Sequence, residues 1–392
     1  MSQSLTVAVA SAIAISGSAM AGIFGSGNVV VERIGNGTTT LSSAATAVSV
    51  IEMNTAGVTQ QQLDLPTSGS SQVTDSGSAT SNGYLNMYNG LLAVSGYNAA
   101  SGTASVAGSN TKVGTVIGTD GTVAGATRTL FPTGGPTGTP PSPFSGNNFR
   151  SMIATGANTF YASGTGSGTP STGGVWYANN GSFTQISSTA TGQPTNMRNV
   201  EIYGGNLYTS SAASTGNGVW QIGTGLATTA GQTNTLLINA GTGASTYGFV
   251  LFDTNSDGTN DLAYLADDRT TAGGGLQKWV LTGGTWTNSW SVLVNGTGAT
   301  STTAGTGFAG IRGLTGTWDA LNGAQLFATT TETSNNRVIA FSDTGSTPTS
   351  FTNLASAGTN YAFRGVDLTA VPAPGAAALV GLAGLITARR RK

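Results

Sequence analysis

Neither cysteine nor histidine occurs in this chain of 392 residues. Without cysteine there is no disulfide framework and no thiolate chemistry, and the redox compartment stays open on this count. Without histidine the commonest general base and the commonest zinc ligand are both gone, which excludes catalytic triads and His-based metal hydrolysis. Carboxylate or tyrosine chemistry is what remains. Charge is scarce as well: 7% of residues are Asp, Glu, Lys or Arg, where soluble proteins average about a quarter. Disorder usually needs high charge and few aromatics, so a folded chain is expected instead. The net charge of −1 hides an asymmetry, because four of the 14 basic residues close the chain as Arg389, Arg390, Arg391 and Lys392. The body is therefore acidic, which argues against nucleic acid as a partner of the folded part. No phosphate loop or nucleotide fingerprint is found.

What the chain has in abundance is glycine, 60 residues, together with Ser, Thr and Asn. Val, Ile, Trp and Tyr are scattered between them, which reads as many short strands joined by many turns. The expected class is all-β. The length allows one large domain or two or three smaller ones.

The two ends read as addresses, each a short hydrophobic helix. Leu5 to Ile15 is an apolar run, and Ala19 and Ala21 form an A-x-A pair before Gly22, as in a secretory signal cleaved after Ala21. The opening "MSQS" has no Lys or Arg, unlike most such signals. At the other end Ala376 to Ala388 is apolar or small throughout and would make a helix about 20 Å long, short against a hydrocarbon core of about 30 Å. Pro372 and Pro374 precede it, and the basic cluster after it is a cytoplasmic stop. This layout resembles the PEP-CTERM sorting signal of exported bacterial proteins, with Pro372-Ala373-Pro374 where that signal has Pro-Glu-Pro. The resemblance implies a transient inner-membrane anchor, the export machinery and an exosortase-type processing enzyme. An ordinary uncut C-terminal anchor is the alternative. Three parts follow: a signal over 1–21, a body over 22–371 and a sorting tail over 372–392.

The body repeats. Asn148 to Gly181 and Asn196 to Gly223 share an order: an Arg, alternating apolar residues, a glycine turn, an aromatic strand, a polar loop and then Gly-Val-Trp. Weaker copies place Arg312 and Arg364 where these have Arg150 and Arg198, with Gly83 and Gly248 at the same position in two others. Units of about 50 residues with three or four strands are propeller blades. The last copy is a single strand, and the body begins with three strands lacking a first one. Pairing the C-terminal strand into the N-terminal blade closes a six-bladed ring and hides its edges. Seven blades follow if the longest gap, with Pro-rich Phe131 to Gly146, is a degenerate sheet rather than a loop; a solenoid is the third option. The body also resembles a group of secreted bacterial β-propeller proteins, through "VVVERIGNGTTTLSSAATAVSVIEMNTAG", "GVWQIGTGLATTAGQ", "GGLQKWVLTGGTW" and "FRGVDL". That likeness implies fold and export and no defined activity.

Few side chains are candidates for chemistry. Arg150, Arg198, Arg312 and Arg364 sit at the inner strands and would form a guanidinium ring for an anionic group, or pin neighbouring blades by bonding carbonyls. Asp253, Asn255, Asp257, Thr259 and Asp261 in "DTNSDGTND" make the first part of a calcium loop for a structural ion. Tyr264 stands where the bidentate Glu would be, so Asp267 or Asp268 would have to complete the shell; otherwise the loop is an Asx-turn hairpin. Trp176, Trp220 and Trp279 recur at one strand and read as blade packing rather than sugar platforms. No catalytic residue is identified. The chain is expected to be an exported envelope or extracellular-matrix protein that binds or scaffolds carbohydrate or other surface polymers. A hydrolase or lyase on extracellular polysaccharide and a ligand-free coat protein are the alternatives.

Overall fold

Left-handed glycines punctuate the chain at short intervals, and strands run between them. The structure, a computed structural model, describes residues 24–369 apart from 110, 119, 136, 139, 140 and 215. The signal segment with Ala19, Ala21 and Gly22, and the tail from Pro372 to Lys392, lie outside the described residues. In the first third β1 (Val29–Gly35), β2 (Ala45–Met53), β3 (Thr59–Asp64), β4 (Thr74–Ser76), β5 (Leu85–Tyr88), β6 (Leu91–Tyr97), the short α1 (Val106–Ser109), β7 (Lys112–Ile117) and β8 (Thr127–Leu130) follow in order. Next come β9 (Phe149–Gly156), β10 (Thr159–Gly164), β11 (Gly174–Asn179), β12 (Ser182–Gln185), β13 (Met197–Tyr203), β14 (Asn206–Ala213), β15 (Gly216–Ile222) and β16 (Asn234–Asn239). The last third holds β17 (Thr246–Phe252), β18 (Leu262–Asp267), β19 (Gly275–Thr282), β20 (Thr285–Val294), β21 (Thr300–Ser301), β22 (Ile311–Asp319), β23 (Gly323–Thr330), β24 (Arg337–Asp343), β25 (Thr352–Ser356) and β26 (Tyr361–Leu368).

The fold is all-β with the arrangement of a β-propeller. Four antiparallel meanders stand as separate blades, β9–β12, β13–β16, β17–β21 and β22–β25, and the remaining strands are joined in one nine-stranded sheet. Within that sheet β26 pairs antiparallel with β1, from Val29 opposite Leu368 to Gly35 opposite Tyr361. The innermost strands follow one another round an axis: β5 lies against β9, β9 against β13, β13 against β17, β17 against β22, β22 against β26 and β26 against β5. The Pro-rich stretch from Phe131 to Gly146 carries no strand among its described residues, and it seats Phe131 and Phe144 against Phe149.

Burial explains the sequence pattern. Inner strands are covered on both faces by neighbouring sheets, so β1 and β9 read as nearly continuous buried runs, whereas outermost β3 is mostly exposed. Each apolar cluster lies between successive sheets: Phe149, Phe160 and Trp176 pack on Ala93 and Val116, while Phe327 and Val338 pack on Val29, Val31 and Phe363. Trp176 and Trp220 are buried with Nε1 donating 3.0 Å to the carbonyls of Thr172 and Gly216, four residues back in each repeat. At roughly 1.5–3 kcal/mol for each fully buried large side chain, these interfaces are the main cohesive term.

Beside the axis the inner strands approach until backbone touches backbone. A Cβ on Gly365 of β26 would lie 2.4 Å from Leu85 N and 2.6 Å from Tyr84 Cα. Neither neighbour can yield without moving a strand. Gly365→Ala is therefore expected to cost about 2–3 kcal/mol, read as a lowered chemical-denaturation midpoint at unchanged m-value. Alanine at exposed Gly69, where no atom lies within 4 Å, is the comparison, its penalty confined to its φ of +77°.

Candidate site at the axial mouth

Every inner strand that pairs regularly with its neighbour is interrupted at one equivalent place. The register skips at Arg150 in β9, at Arg198-Asn199 in β13, at Tyr247-Gly248 in β17, at Arg312-Gly313 in β22 and at Arg364-Gly365 in β26. A bulge turns a side chain out of the sheet plane, and here it delivers the repeat residue to the axis. Before β5 the corresponding residue is Tyr84, which bridges in parallel to Ser151. The four arginines expected from the repeat are thus joined by two tyrosines.

Four of the six side chains lie together, and Arg150 and Arg364 are near enough for charge to act between them and Tyr247. The Arg198 guanidinium lies over the Tyr247 ring at 3.8 Å and that of Arg312 at 5.6 Å, while the Tyr84 and Tyr247 rings are 6.5 Å apart. Burial raises the Tyr84 hydroxyl well above its ordinary pKa, Tyr247 adds to the rise, and Arg198, Arg150 and Arg312 partly oppose it.

Each guanidinium spends one edge on carbonyls. Arg150 Nη1 donates to Asn196 Oδ1 and, at 2.9 Å, to Met197 O; Arg198 Nη1 donates to Ser245 Oγ at 3.1 Å and Thr246 O at 2.9 Å. Arg364 Nη2 reaches Gly77 O at 3.0 Å, and Arg312 Nη1 reaches Thr331 O at 3.0 Å. These bonds cross from one sheet to the next for Arg150 and Arg198, whereas that of Arg364 reaches the turn after β4 in its own nine-stranded sheet. The other edge is left over. The Nε of all four arginines and the Tyr84 hydroxyl are buried without a hydrogen-bond partner.

Counter-charge is uneven. Arg312 pairs with Asp268 at 3.4 Å, and Arg364 has Asp75 and Glu32 nearby. Arg150 and Arg198 form no ion pair among the described residues. Burial and the neighbouring Arg198 push the Arg150 guanidinium down to about 10. Arg198 opens into a pocket of about 650 Å³ lined by Ser214, Asn217, Asn239, Thr242 and Ser245.

Three residues further along two of these strands the side chains are acidic. Glu201 on β13 and Asp367 on β26 are half-buried and near enough for the Asp367 charge to act on Glu201. Asp367 Oδ1 accepts from Thr315 Oγ1 at 2.8 Å, and Oδ2 from Met87 N at 2.5 Å. Glu201 Oε1 accepts from Asn199 Nδ2 at 2.9 Å. Burial lifts Asp367 to about 6 against the pull of these donors. Burial, then the Asp367 charge, raise Glu201 well above the carboxylate range.

The loop from Asp253 to Asp261 is closed on itself. Asp253 accepts from the amides of Asp257 and Gly258, Asn255 Oδ1 from Asp257 N, Asp257 Oδ1 from Thr259 N, and Asp261 from Thr254. Asp267 is bound by Arg269 at 2.8 Å and Asp268 by Arg312, so neither is turned to this loop. Tyr264 points into the core, donating to Asp343 at 2.6 Å.

Tyr84, Tyr247, Glu201 and Asp367 escaped the sequence reading. The first two were one residue from the aligned Gly83 and Gly248, where a change from Arg to an aromatic hid the shared position; the acids had no motif. No protein-family model and no curated protein matches the chain. Among solved structures the GH74 enzyme of Niastella koreensis is similar at a TM-score of 0.43 and 15% identity, covering 82% of this chain and 46% of that one. The chain spans less than half that enzyme's length.

Proposed function

We propose that this chain is an exported, closed six-bladed propeller that captures an anionic group of an extracellular polymer, such as a uronate, at one mouth of its axis. The blade count takes the nine-stranded sheet as two blades, β26-β1-β2-β3 and β5-β6-β7-β8, linked by β4. The succession of inner strands supports closure. Export through the signal at Ala21 and processing near Pro372-Ala373-Pro374 rest on the residue pattern, and mass spectrometry of both termini of the released protein tests them. Retention of Arg389 to Lys392 in that form would overturn the sorting reading.

One observation carries the binding reading: among the described residues Arg150 and Arg198 are cations without a carboxylate partner, and their Nε–H groups and the Tyr84 hydroxyl are buried without hydrogen-bond partners. Buried donors of that kind are normally satisfied, and a carboxylate matches a guanidinium edge in geometry and charge. Isothermal titration with oligouronates and with neutral oligoglucans is the test. Binding selective for the acidic sugar is expected, weakening with salt and falling about 100-fold in the Arg150→Met, Arg198→Met protein. Equal binding of the neutral sugar, or an unchanged double variant, would rule this out.

A hydrolase or lyase acting on the same polymer is the second reading, favoured by the Glu201 and Asp367 pair. Two interacting carboxyls with raised pKa supply an acid that keeps its proton near neutrality. Release of reducing ends or unsaturated products, lost in Glu201→Gln, would support it.

A further inference from the structure

Where successive sheets meet near the axis, a hydroxyl grips the bulge carbonyl of the next sheet. Ser95 donates to Arg150 O at 3.1 Å, Ser163 to Arg198 O at 2.5 Å, Ser210 to Tyr247 O at 2.5 Å and Thr329 to Arg364 O at 2.6 Å. The pattern breaks at two strands: β18 has apolar Ala266 opposite the Tyr247-Gly248 bulge, and β1 has the acid Glu32 opposite the Arg364-Gly365 bulge. An ionised carboxylate has no proton to donate. Both Glu32 oxygens are buried without a hydrogen-bond partner, and so are Asp75 Oδ2 and Asn82 Oδ1. The three residues are 0%, 1% and 2% exposed.

These oxygens belong to one place. Asn82 Nδ2 donates to Asp75 Oδ1 at 2.9 Å and to the Tyr97 hydroxyl at 3.0 Å. Glu32 Oε1 rests against the next residue, Gly83, where a Cβ would lie 2.3 Å from it. Arg364 packs its Cβ on the same glycine, but its guanidinium is turned to Gly77 O, and no ion pair joins it to either carboxylate among the described residues. Four buried acceptor oxygens, three of them on carboxylates, that no donor reaches among the described residues, Arg364 included, are costly in a low-dielectric interior unless a cation sits among them.

We propose that Glu32, Asp75 and Asn82 form a buried cation site tying β1 and β4 to the segment before β5, and that it takes a hard ion, Ca2+ or Na+. The donors are all oxygen, with no nitrogen or sulfur to suit a transition metal. Backbone carbonyls and water can complete the six to eight ligands that calcium takes, whereas magnesium keeps its waters and demands a stricter octahedron. The site is distinct from the Asp253 to Asp261 loop, whose oxygens are engaged by the loop's own amides.

The experiment starts from protein dialysed against chelator into choline chloride, with thermal unfolding followed after adding CaCl2 or NaCl and bound calcium counted by mass spectrometry. Expected is a saturable rise in midpoint of about 5 °C or more and one tightly held ion per chain, both lost in Glu32→Gln and both kept in Asp253→Asn, Asp257→Asn. A rise with sodium alone assigns the site to the monovalent ion. No rise with either salt, or a rise kept by Glu32→Gln and lost in the loop variant, would overturn the proposal. Should Glu32→Gln fail to fold, the ion count and salt response of the unaltered protein with the loop variant still decide it.

Discussion

A chain shortened to end at Asn360 is expected to lose cooperative folding altogether. Residues 361–368 form β26, the strand that pairs with β1 and lies between β22 and β5. Ala362, Phe363 and Val366 are 0%, 3% and 4% exposed, and Phe363 and Val366 share a core cluster with Val29, Val31, Phe327 and Val338. Losing Phe363 and Val366 forfeits roughly 1.5–3 kcal/mol each and opens the apolar faces they covered. The inner edge of β1 would also lose its ladder, leaving an unpaired strand beside the axis. Against a net stability of about 5–15 kcal/mol the sum is decisive. Near-UV circular dichroism and calorimetry on proteins ending at Thr369 and at Asn360 check this. One sharp transition is expected for the first and none for the second. A sharp transition at a similar temperature in the shorter chain would show that the fold does not depend on β26.

Replacing Glu201 by Gln is expected to leave stability unchanged below about pH 4 and to raise it progressively as pH increases toward and past neutrality. Burial raises Asp367 from 3.8 to about 6, and Glu201, raised by burial and by Asp367, shares the enclosure. An acid whose folded pKa exceeds its unfolded value holds its proton more tightly in the fold. The stabilising contribution of Asp367 is therefore full below about pH 4 and lost as pH rises through about 6, and that of Glu201 is lost as pH rises through its own raised pKa. Gln keeps the bond from Asn199, which needs only an acceptor oxygen, and removes one of the two like charges. At pH 8 the gain is expected to be several degrees in Tm. Denaturation of both proteins from pH 4 to 8 gives the difference directly. A constant penalty for Glu201→Gln across that range would mean the carboxyls do not interact.

Much of the architecture was legible because repetition and period are local properties. The Gly-Val-Trp strand, the glycine turns and the missing first strand at the start of the body all pointed to blades, and β26 pairs with β1 where that gap predicts a partner. The recurring arginines were legible for the same reason, though not that a bulge aims each one. Glu32 shows the limit. In sequence it is one acid inside "VVVERIG", ordinary beside Arg33; only the register of β26 sets it opposite a bulge, at a place where four other strands carry Ser or Thr.

By itself, the sequence determined what chemistry is open: without histidine, cysteine or much charge, carboxylates, tyrosines and a few arginines are what remains. It also determined an all-β chain, since glycine-broken runs of Val, Ile and aromatics satisfy their backbone only in short pleated sheets. Which of those few polar groups face one another was decided only by the tertiary structure. Arg150 and Arg198 lie 48 positions apart, and Glu201 and Asp367 are farther apart still. They meet because inner strands stack round a common axis, and no local pattern encodes a distance that exists only after the chain has come round that axis.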